Sequence, residues 1–176
     1  MPLFSLQADK PQIDPSVFIA PTAAVVGNVT IGKDSSVWFN CVIRGDVAPI
    51  TIGEGTNIQD LTILHVGAGH PLHIGNQVTV GHRCIVHGCT IEDNCMIGMG
   101  AIVMNGALIG RGSIVAAGSV VLENATFPPF SLLTGVPARI KQVFEGTVRD
   151  RIRVPAESYV HHAALYQSHG SLTLIK

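Results

Sequence analysis

The sequence predicts an all-β protein, a parallel β-helix of hexapeptide repeats followed by one C-terminal α-helix. An aliphatic residue recurs at intervals of six through most of residues 19–126, and this period is typical of short strands stacked three to a coil. Hydrophobic residues make up 47% of the chain but aromatic residues only 5%, so narrow aliphatic side chains must fill the core. The 19 glycines and 10 prolines supply the frequent turns that such a fold needs.

Composition also limits the partners of the protein. A chain of 176 residues fits a single domain, residues 1–176. The net charge of −1, with 13% charged residues, gives no basic surface for nucleic acid, and so few charges suggest that other copies of the chain cover part of the surface. No segment has the length and apolar character of a membrane span, and the N-terminus lacks the apolar core of a signal peptide. We therefore expect a cytoplasmic protein that binds neither nucleic acid nor membrane.

The elements follow in a simple order. Residues 1–18 contain three prolines and are predicted to be extended and irregular. The repeat begins at Ile19 and ends near Thr126, with insertions of three and four residues inside residues 43–74. We expect the β-helix to occupy about residues 19–126.

A helix is predicted over about residues 145–170. Tyr159, Ala163 and Tyr166 recur at helical spacing and share one face, and Gly170 is a suitable stop. We expect this helix to pack along the outside of the prism formed by the coils.

Two residue types recur at fixed positions of the repeat. Glycine is the second residue of six units, and we expect it there because the turn needs an unusual φ; these are Gly32, Gly53, Gly75, Gly81, Gly98 and Gly110. Cysteine lies four residues after a repeat aliphatic at Cys41, Cys84 and Cys95, where other units have Ser, Thr or Ala. With no C-x-x-C spacing, and with Cys89 at a one-residue slip of the repeat, we interpret the cysteines as structural.

The aliphatic residues divide into three columns, one for each side of the prism. The first column is Ile19, Val37, Ile58, Val80, Ile97 and Val115; the second is Val25, Ile43, Leu64, Val86, Val103 and Val121; the third is Ile31, Ile52, Ile74, Ile91 and Ile109. A residue's distance from its column therefore predicts which corner of the prism it occupies.

Two histidines share one corner. His65 and His87 each follow a second-column aliphatic by one position, and they differ by 22 residues, the 18 of one coil plus the four inserted. They should therefore stack about 4.8 Å apart at the backbone, and two imidazoles so placed can share a metal ion. Arg44 occupies the same position one coil earlier.

His82 is predicted to occupy a different corner. It lies two residues after first-column Val80, and Asp60 has the same position one coil earlier, with Gln59 beside it. One metal ion could collect all three histidines only if His82 came from a neighbouring subunit, as in a closed ring of three prisms.

Simpler interpretations also apply to the corner histidines and to Arg44. A histidine at a β-helix corner can be a solvated surface residue, and Arg44 can stabilise its own corner through Asp46 or pair with Asp60 of a neighbour. We assign His70 and His73 to the inserted loop. We assign His161, His162 and His169 to packing or solvent-facing positions on the helix.

The sequence resembles the γ-class carbonic anhydrase family, in its short bacterial type. The resemblance lies in IRGD, NIQD, the isolated LH, VGHRCIVHGC and LLTGVPAR, and in a C-terminal helix containing Tyr-Val. It implies a left-handed β-helix, although parallel connections are in general right-handed, and a homotrimer with a metal ion at each interface. The ion is a divalent metal, with zinc expected first and iron or cobalt as alternatives, because imidazole accepts all three.

The resemblance also assigns residues to roles. It implies His65, His82 and His87 as metal ligands, Arg44, Asp46 and Asp60 as interface salt bridges, and Asn57, Gln59 and Tyr159 as residues near the metal-bound water. The implied reaction is the reversible hydration of CO₂ to bicarbonate by a metal-bound hydroxide, which makes the protein a carbonic anhydrase-like lyase.

The sequence departs from the active family pattern where a proton carrier is expected. Val47 follows Asp46 in place of a glutamate, and Ala68 stands where the loop would carry another. The alternatives are therefore a non-catalytic trimeric relative or one that hydrolyses a thioester, and, with less support, a hexapeptide acyltransferase.

Overall fold

The computed structural model describes residues 3–145 and 154–168. Twenty short strands and one helix lie within these ranges. They are β1 (Leu3–Phe4), β2 (Gln12–Ile13), β3 (Phe18–Ile19), β4 (Ala24–Ile31), β5 (Ser36–Val37), β6 (Val42–Ile52), β7 (Asn57–Ile58), β8 (Ile63–His65), β9 (Leu72–Ile74), β10 (Thr79–Val80), β11 (Ile85–His87), β12 (Thr90–Ile91), β13 (Met96–Ile97), β14 (Ile102–Val103), β15 (Leu108–Ile109), β16 (Ile114–Val115), β17 (Val120–Val121), β18 (Thr126–Phe127), β19 (Ser131–Gly135), β20 (Ala138–Val143) and α1 (Val154–Gln167).

The strands form the predicted parallel β-helix. Each strand of a column pairs in parallel with the strand one coil away, and the residue pairing places every aliphatic of the three predicted columns beside its expected neighbour. The first column extends one coil further, where Leu133 pairs beside Val115. The result is a solenoid of about seven coils. The all-β fold with a C-terminal helix is confirmed.

The strand stack reaches beyond residues 19–126 at both ends. β1 and β2 lie before Ile19 and both pair in parallel with β4. After Thr126, β19 continues the first column and β20 returns antiparallel to it. The irregular segment predicted for residues 1–18 therefore contains two short strands.

The core is a continuous stack of aliphatic side chains inside the coils. The twelve largest fully buried side chains are all Ile or Leu. All of them except Ile50 and Leu72 lie in the three columns, with Leu133 in the extension of the first. The four cysteines are buried, and burial raises the pKa of the thiol to about 11 for Cys41 and Cys84 and to about 12 for Cys89 and Cys95. Such thiols stay protonated at neutral pH, so their position agrees with a structural role.

The six repeat glycines are explained by close approach between coils, and our expectation of an unusual φ was wrong. None of the six has a positive φ. A Cβ built on Gly110 would lie 2.5 Å from the backbone nitrogen of Pro129 in the next coil. The left-handed backbone falls instead at the turn position, for example Asn94 with φ 58° and Gly118 with φ 68°. Glycine at the second position therefore lets successive coils approach each other.

The helix α1 docks on the outside of the prism through aromatic side chains. Trp38 is only 6% exposed, and its ring lies 5.3 Å from that of Tyr159 and 5.0 Å from that of Tyr166. Ala163, between them on the same face, is buried. The predicted packing face is confirmed, while the stop at Gly170 lies outside the described residues.

Among the described residues, no helix has the length and apolar character required to cross a membrane. The cytoplasmic location stays a prediction.

Candidate functional site

The stacked corner predicted from the repeat is present. Arg44 pairs beside His65, and His65 beside His87, in successive coils. The two imidazole rings have centroids 4.9 Å apart, and Nδ1 of His65 lies 3.0 Å from Nε2 of His87. The backbone register thus confirms the stacking of Arg44, His65 and His87 that the repeat predicts.

The outer nitrogen of each ring is held by an oxygen acceptor. His65 donates from Nε2 to Oδ1 of Asp46 at 3.0 Å, and His87 donates from Nδ1 to Oδ1 of Asn105 at 2.6 Å. A neutral imidazole carries a single N–H. The two nitrogens that face each other therefore both present lone pairs when the rings are neutral, and that repulsive arrangement is relieved by a proton or a metal ion between them.

The side chains of His65 and Arg44 hold Asp46 in place. Its other oxygen, Oδ2, contacts Nη1 of Arg44 in the same chain. Desolvation raises the pKa of the Asp46 carboxyl, but the hydrogen bond from His65 and the Arg44 charge outweigh it, so that the pKa is lowered overall. The carboxylate therefore remains ionised and keeps the proton of His65 on Nε2.

His82 occupies the other corner, as predicted. Its Nδ1 lies 2.9 Å from Oδ2 of Asp60, while Oδ1 of Asp60 accepts a hydrogen bond from the backbone nitrogen of Phe39 at 3.2 Å. This arrangement leaves Nε2 of His82 as the available lone pair. Within the described part of one chain, no three His, Cys, Asp or Glu side chains form a metal site.

A short chain of buried amides lies beside His82. Gln59 and Asn57 are 6% and 1% exposed. Gln59 donates from Nε2 to Oδ1 of Asn57 at 3.1 Å, and Asn57 donates from Nδ2 to Oγ1 of Thr79 at 3.0 Å. The Gln59 amide is thereby oriented, with its carbonyl oxygen left to accept a further hydrogen bond. Sequence reasoning missed Thr79, whose role here is to anchor the Asn57 side chain.

Tyr159 lines a cavity between α1 and the prism. The cavity has a volume of about 320 Å³ and is lined by Trp38, Phe39, Asp60, Tyr159, His162 and Tyr166. Burial raises the pKa of the Tyr159 phenol, and the negative charge of Asp60 adds to that effect. Tyr159 therefore serves as a hydroxyl group rather than as a phenolate.

Two apolar grooves flank the histidines. One, which we term the His87 groove, is lined by Ile85, Ile102 and Met104 beside His87 and Asn105. The other, the His82 groove, is lined by Met96, Met99 and Ile114 beside His82 and Gln59. Each has a volume of about 290 Å³. The two halves of the predicted site thus each border an apolar surface.

The other residues singled out in the sequence lie at separate places in the structure. His70 closes the inserted loop through a bridge to Gly67, and His73 pairs with Thr51 and Thr90 on the third side of the prism. Val47 is 58% exposed. His169 lies outside the described residues. Sequence reasoning missed Asn105, although it follows second-column Val103 by two positions. His162, predicted to face solvent or to pack, is exposed and borders the cavity beside Tyr159.

Comparison with known proteins identifies the family of the chain. The chain is 41% identical over 167 residues to a carbonic anhydrase of Geobacillus kaustophilus, and the match covers 94% of this chain and 91% of that protein. The chain is also 42% identical over 167 residues to gamma carbonic anhydrase 2, mitochondrial, of Arabidopsis thaliana, covering 92% of this chain. The chain belongs to the γ-class carbonic anhydrase family. It spans 60% of the length of the Arabidopsis protein.

Matches to repeat models and to a solved structure agree with the hexapeptide-repeat fold, which transferases share. The model for bacterial transferase hexapeptide (six repeats) matches residues 88–123, and the model for the hexapeptide repeat of succinyl-transferase matches residues 71–103. The structure of a hexapeptide transferase family protein from Anaplasma phagocytophilum superimposes with a TM-score of 0.89 at 39% identity, covering 94% of this chain and 98% of that chain.

Proposed function

We propose that the protein is a metal-dependent carbonic anhydrase that interconverts CO₂ and bicarbonate at sites between the subunits of a homotrimer. The observation that carries the proposal is the pair of ring nitrogens, Nδ1 of His65 and Nε2 of His87, that face each other at 3.0 Å. Their outer nitrogens are occupied by Asp46 and Asn105. This is the partner arrangement of histidines that bind metals in proteins.

The donor set fits a divalent ion. Two nitrogens bound to one tetrahedral zinc ion at 2.0–2.1 Å are about 3.3–3.4 Å apart, so the observed 3.0 Å needs only a small ring movement. Zinc is the first expectation, with iron and cobalt as alternatives. A divalent ion at this position would supply Lewis-acid activation of a water molecule and charge for the developing bicarbonate.

The third ligand would come from a neighbouring subunit. His82 lies on a different corner, with its Nδ1 bound to Asp60 and its Nε2 available. In a ring of three copies, the corner with His65 and His87 of one subunit would face the corner with His82 of the next. The same contact would bring Arg44 towards the neighbour's Asp60, as the sequence predicts.

Exposed apolar side chains support this assembly. Val42, Ile63 and Ile85 form a stripe beside the stacked histidines and are 37%, 43% and 40% exposed. Met99, in the His82 groove, is 60% exposed. Burying these side chains against each other would be favourable at about 25 cal/mol per Å² of apolar surface. The trimer would therefore join the two halves of the site and cover both apolar surfaces.

The remaining residues would position the reactants. Gln59, fixed by Asn57 and Thr79, can accept a hydrogen bond from the water that attacks CO₂. The apolar wall of the His82 groove suits CO₂, which has no net charge or dipole. Asp46 and Asn105 keep the facing nitrogens of the two histidines deprotonated for metal binding.

One experiment tests the proposal. The metal content and mass of the purified protein are measured, and CO₂ hydration is compared before and after removal of metal by a chelator. We expect a trimer with one metal ion per subunit and hydration that is lost with the metal and restored with it.

The alternatives give other results in the same preparation. A thioester-hydrolysing relative would cleave acyl-CoA and not hydrate CO₂, and a transferase, suggested by the similarity to the Anaplasma hexapeptide transferase family protein, would need an acyl-CoA and an acceptor. A trimer that binds metal without any hydration would be a non-catalytic relative. A metal-free monomer would overturn the proposal completely.

A further inference from the structure

The cavity between α1 and the prism contains a histidine for which the proposed reaction has a use. His162 lines this cavity together with Asp60 and Tyr159, and its ring centroid lies 5.8 Å from that of Tyr159. His162 follows Tyr159 by three residues and precedes Tyr166 by four, so it borders the packing face of the helix while its side chain stays exposed. The docking of α1 turns it towards the same cavity as Asp60.

Asp60 connects this cavity to the proposed metal site. Its Oδ2 lies 2.9 Å from Nδ1 of His82, and its carboxylate also forms part of the cavity wall. The cavity therefore begins at the residue that holds a proposed ligand and reaches the helix surface at His162. The volume of about 320 Å³ is large enough to hold several water molecules.

Hydration of CO₂ releases a proton that must leave the site. The carbon gains an oxygen from water, one O–H bond of that water breaks, and bicarbonate and a proton result. The neighbouring positions of the chain that could have carried a carboxylate are Val47 and Ala68. Imidazole is the side chain that takes up and releases protons most readily near neutral pH.

We propose that His162, in the subunit that supplies His82, carries the proton released by CO₂ hydration through the cavity it shares with Asp60 to solvent. This inference rests on the proposed function. A neutral ring nitrogen of His162 gains the proton across cavity water, and the N–H bond then breaks as the proton passes to a buffer base. No electrons are transferred.

The charged and titratable groups around His162 agree with this route. Asp60 faces it from the prism, and Tyr159, His161 and Tyr166 neighbour it on α1. Among the described residues that line the cavity, Asp60 is the one carboxylate, and its charge favours passage of a positive charge along the wall. Tyr159, whose pKa is raised by burial, keeps its proton and can act only as a hydrogen-bonding group.

Isotope exchange tests the proposal in the metal-loaded trimer. Loss of ¹⁸O from labelled CO₂ gives two rates, one for interconversion of CO₂ and bicarbonate and one for the release of labelled water, and only the second needs proton transfer. In H162A we expect the water-release rate to fall by about 10²-fold, the lower end of general acid–base effects. The interconversion rate should be unchanged, and added imidazole should restore water release.

Two matched variants sharpen the result. H161A removes the neighbouring histidine on the same helix and should leave both rates unchanged. H70A removes the histidine of the inserted loop, which lies beside Gly88 next to His87. A fall in water release in H70A and not in H162A would overturn the assignment to His162.

A second measurement does not depend on activity. The protein is loaded with Co²⁺, which is paramagnetic, or with Zn²⁺ as the diamagnetic reference, and the histidine ring signals are compared by NMR. We expect strong broadening of the His162 ring signals and none for His73, on the third side of the prism. An unbroadened His162 signal would place it too far from the ion and overturn the inference.

The two proposals can fail separately. Interconversion without any effect of H162A on water release would overturn the role of His162 alone. If the metal-loaded wild-type protein shows no interconversion at all, the proposed function fails, and the role of His162 fails with it.

Discussion

Nδ1 of His65 and Nε2 of His87 face each other at 3.0 Å, and neither carries a proton when the rings are neutral. The opposite nitrogens donate to Asp46 and Asn105. Two lone pairs so close repel each other, and the surrounding side chains prevent either ring from turning away without losing a hydrogen bond. This paired arrangement is the strongest structural argument that the corner binds a cation.

The acceptor of His87 should matter for metal affinity. Asn105→Leu removes the oxygen that fixes the proton on Nδ1, and we expect the zinc dissociation constant to rise by about 10–100-fold. Asn105→Asp keeps an oxygen acceptor at the same position and should bind zinc at least as well as the wild-type protein. Competition with a chromophoric chelator measures both variants, and equal affinity of Asn105→Leu and wild type would contradict the role of Asn105.

The placement of the ligands on two subunits can be tested by mixing variants. Chains with His65→Ala and chains with His82→Ala should each bind no metal when alone. In mixed trimers, an interface that takes His65 and His87 from one variant and His82 from the other is complete, so part of the metal content should return. Metal analysis after co-refolding measures this.

The matched control uses two residues of the same corner. His65→Ala and His87→Ala chains cannot complement each other, because no interface in such a mixture has both residues in one chain. Recovery of metal in this mixture, or its absence in the first one, would show that the three histidines are not divided as proposed.

Arg44 should stabilise the trimer in addition to holding Asp46 in its own chain. Within one chain its guanidinium contacts Asp46, and in the proposed trimer it also approaches the neighbour's Asp60. Breaking one side of a buried ion pair costs about 3–5 kcal/mol, so Arg44→Ala trimers should dissociate at much higher protein concentration than wild type. Sedimentation over a dilution series measures this, and a double-mutant cycle with Asp60→Ala should show coupling. Additive effects in that cycle would restrict Arg44 to its own corner.

The reason for glycine at the second repeat position can be tested with one new side chain at two sites. Gly110→Asn forces a Cβ against the backbone of Pro128 and Pro129, and overpacking of this kind costs about 1–3 kcal/mol. At Gly118, where φ is 68° and nothing lies within 4 Å of a built Cβ, the same substitution should be nearly neutral because asparagine tolerates this backbone. Denaturant unfolding gives both values, and equal costs would contradict the close-approach explanation.

The register of the coils was predictable from the sequence, and the contacts between side chains were not. A six-residue period fixes the position of each residue relative to its column, so the stacking of Arg44, His65 and His87 followed from counting. Asn105 is different, because its Oδ1 lies against Gly88, where a Cβ would clash with it, and this close approach is not visible in the repeat. The orientation of His162 depends on Trp38, whose ring sets how α1 lies on the prism.

The glycine positions show the same limit. Their spacing was visible in the sequence, but the distance between successive coils was not, so the wrong physical reason was assigned to them. Packing between elements that are distant in sequence cannot be obtained from periodicity alone.

A carboxylate at position 47 should compensate for loss of His162. Val47 is exposed and follows Asp46, which contacts His65, so Val47→Glu places a second proton acceptor beside the proposed site. We expect Val47→Glu to raise the hydration rate in dilute buffer and to reduce its dependence on buffer concentration.

In a protein that also carries His162→Ala, Val47→Glu should recover much of the lost rate, because either group can accept the same proton. Val47→Gln is the matched control, since it has the same size without the titrating group and should recover nothing. Stopped-flow hydration assays at several imidazole concentrations measure these variants beside His162→Ala and the wild type. If Val47→Glu and Val47→Gln behave alike, proton transfer does not limit the rate, and the missing glutamates have no kinetic consequence in this protein.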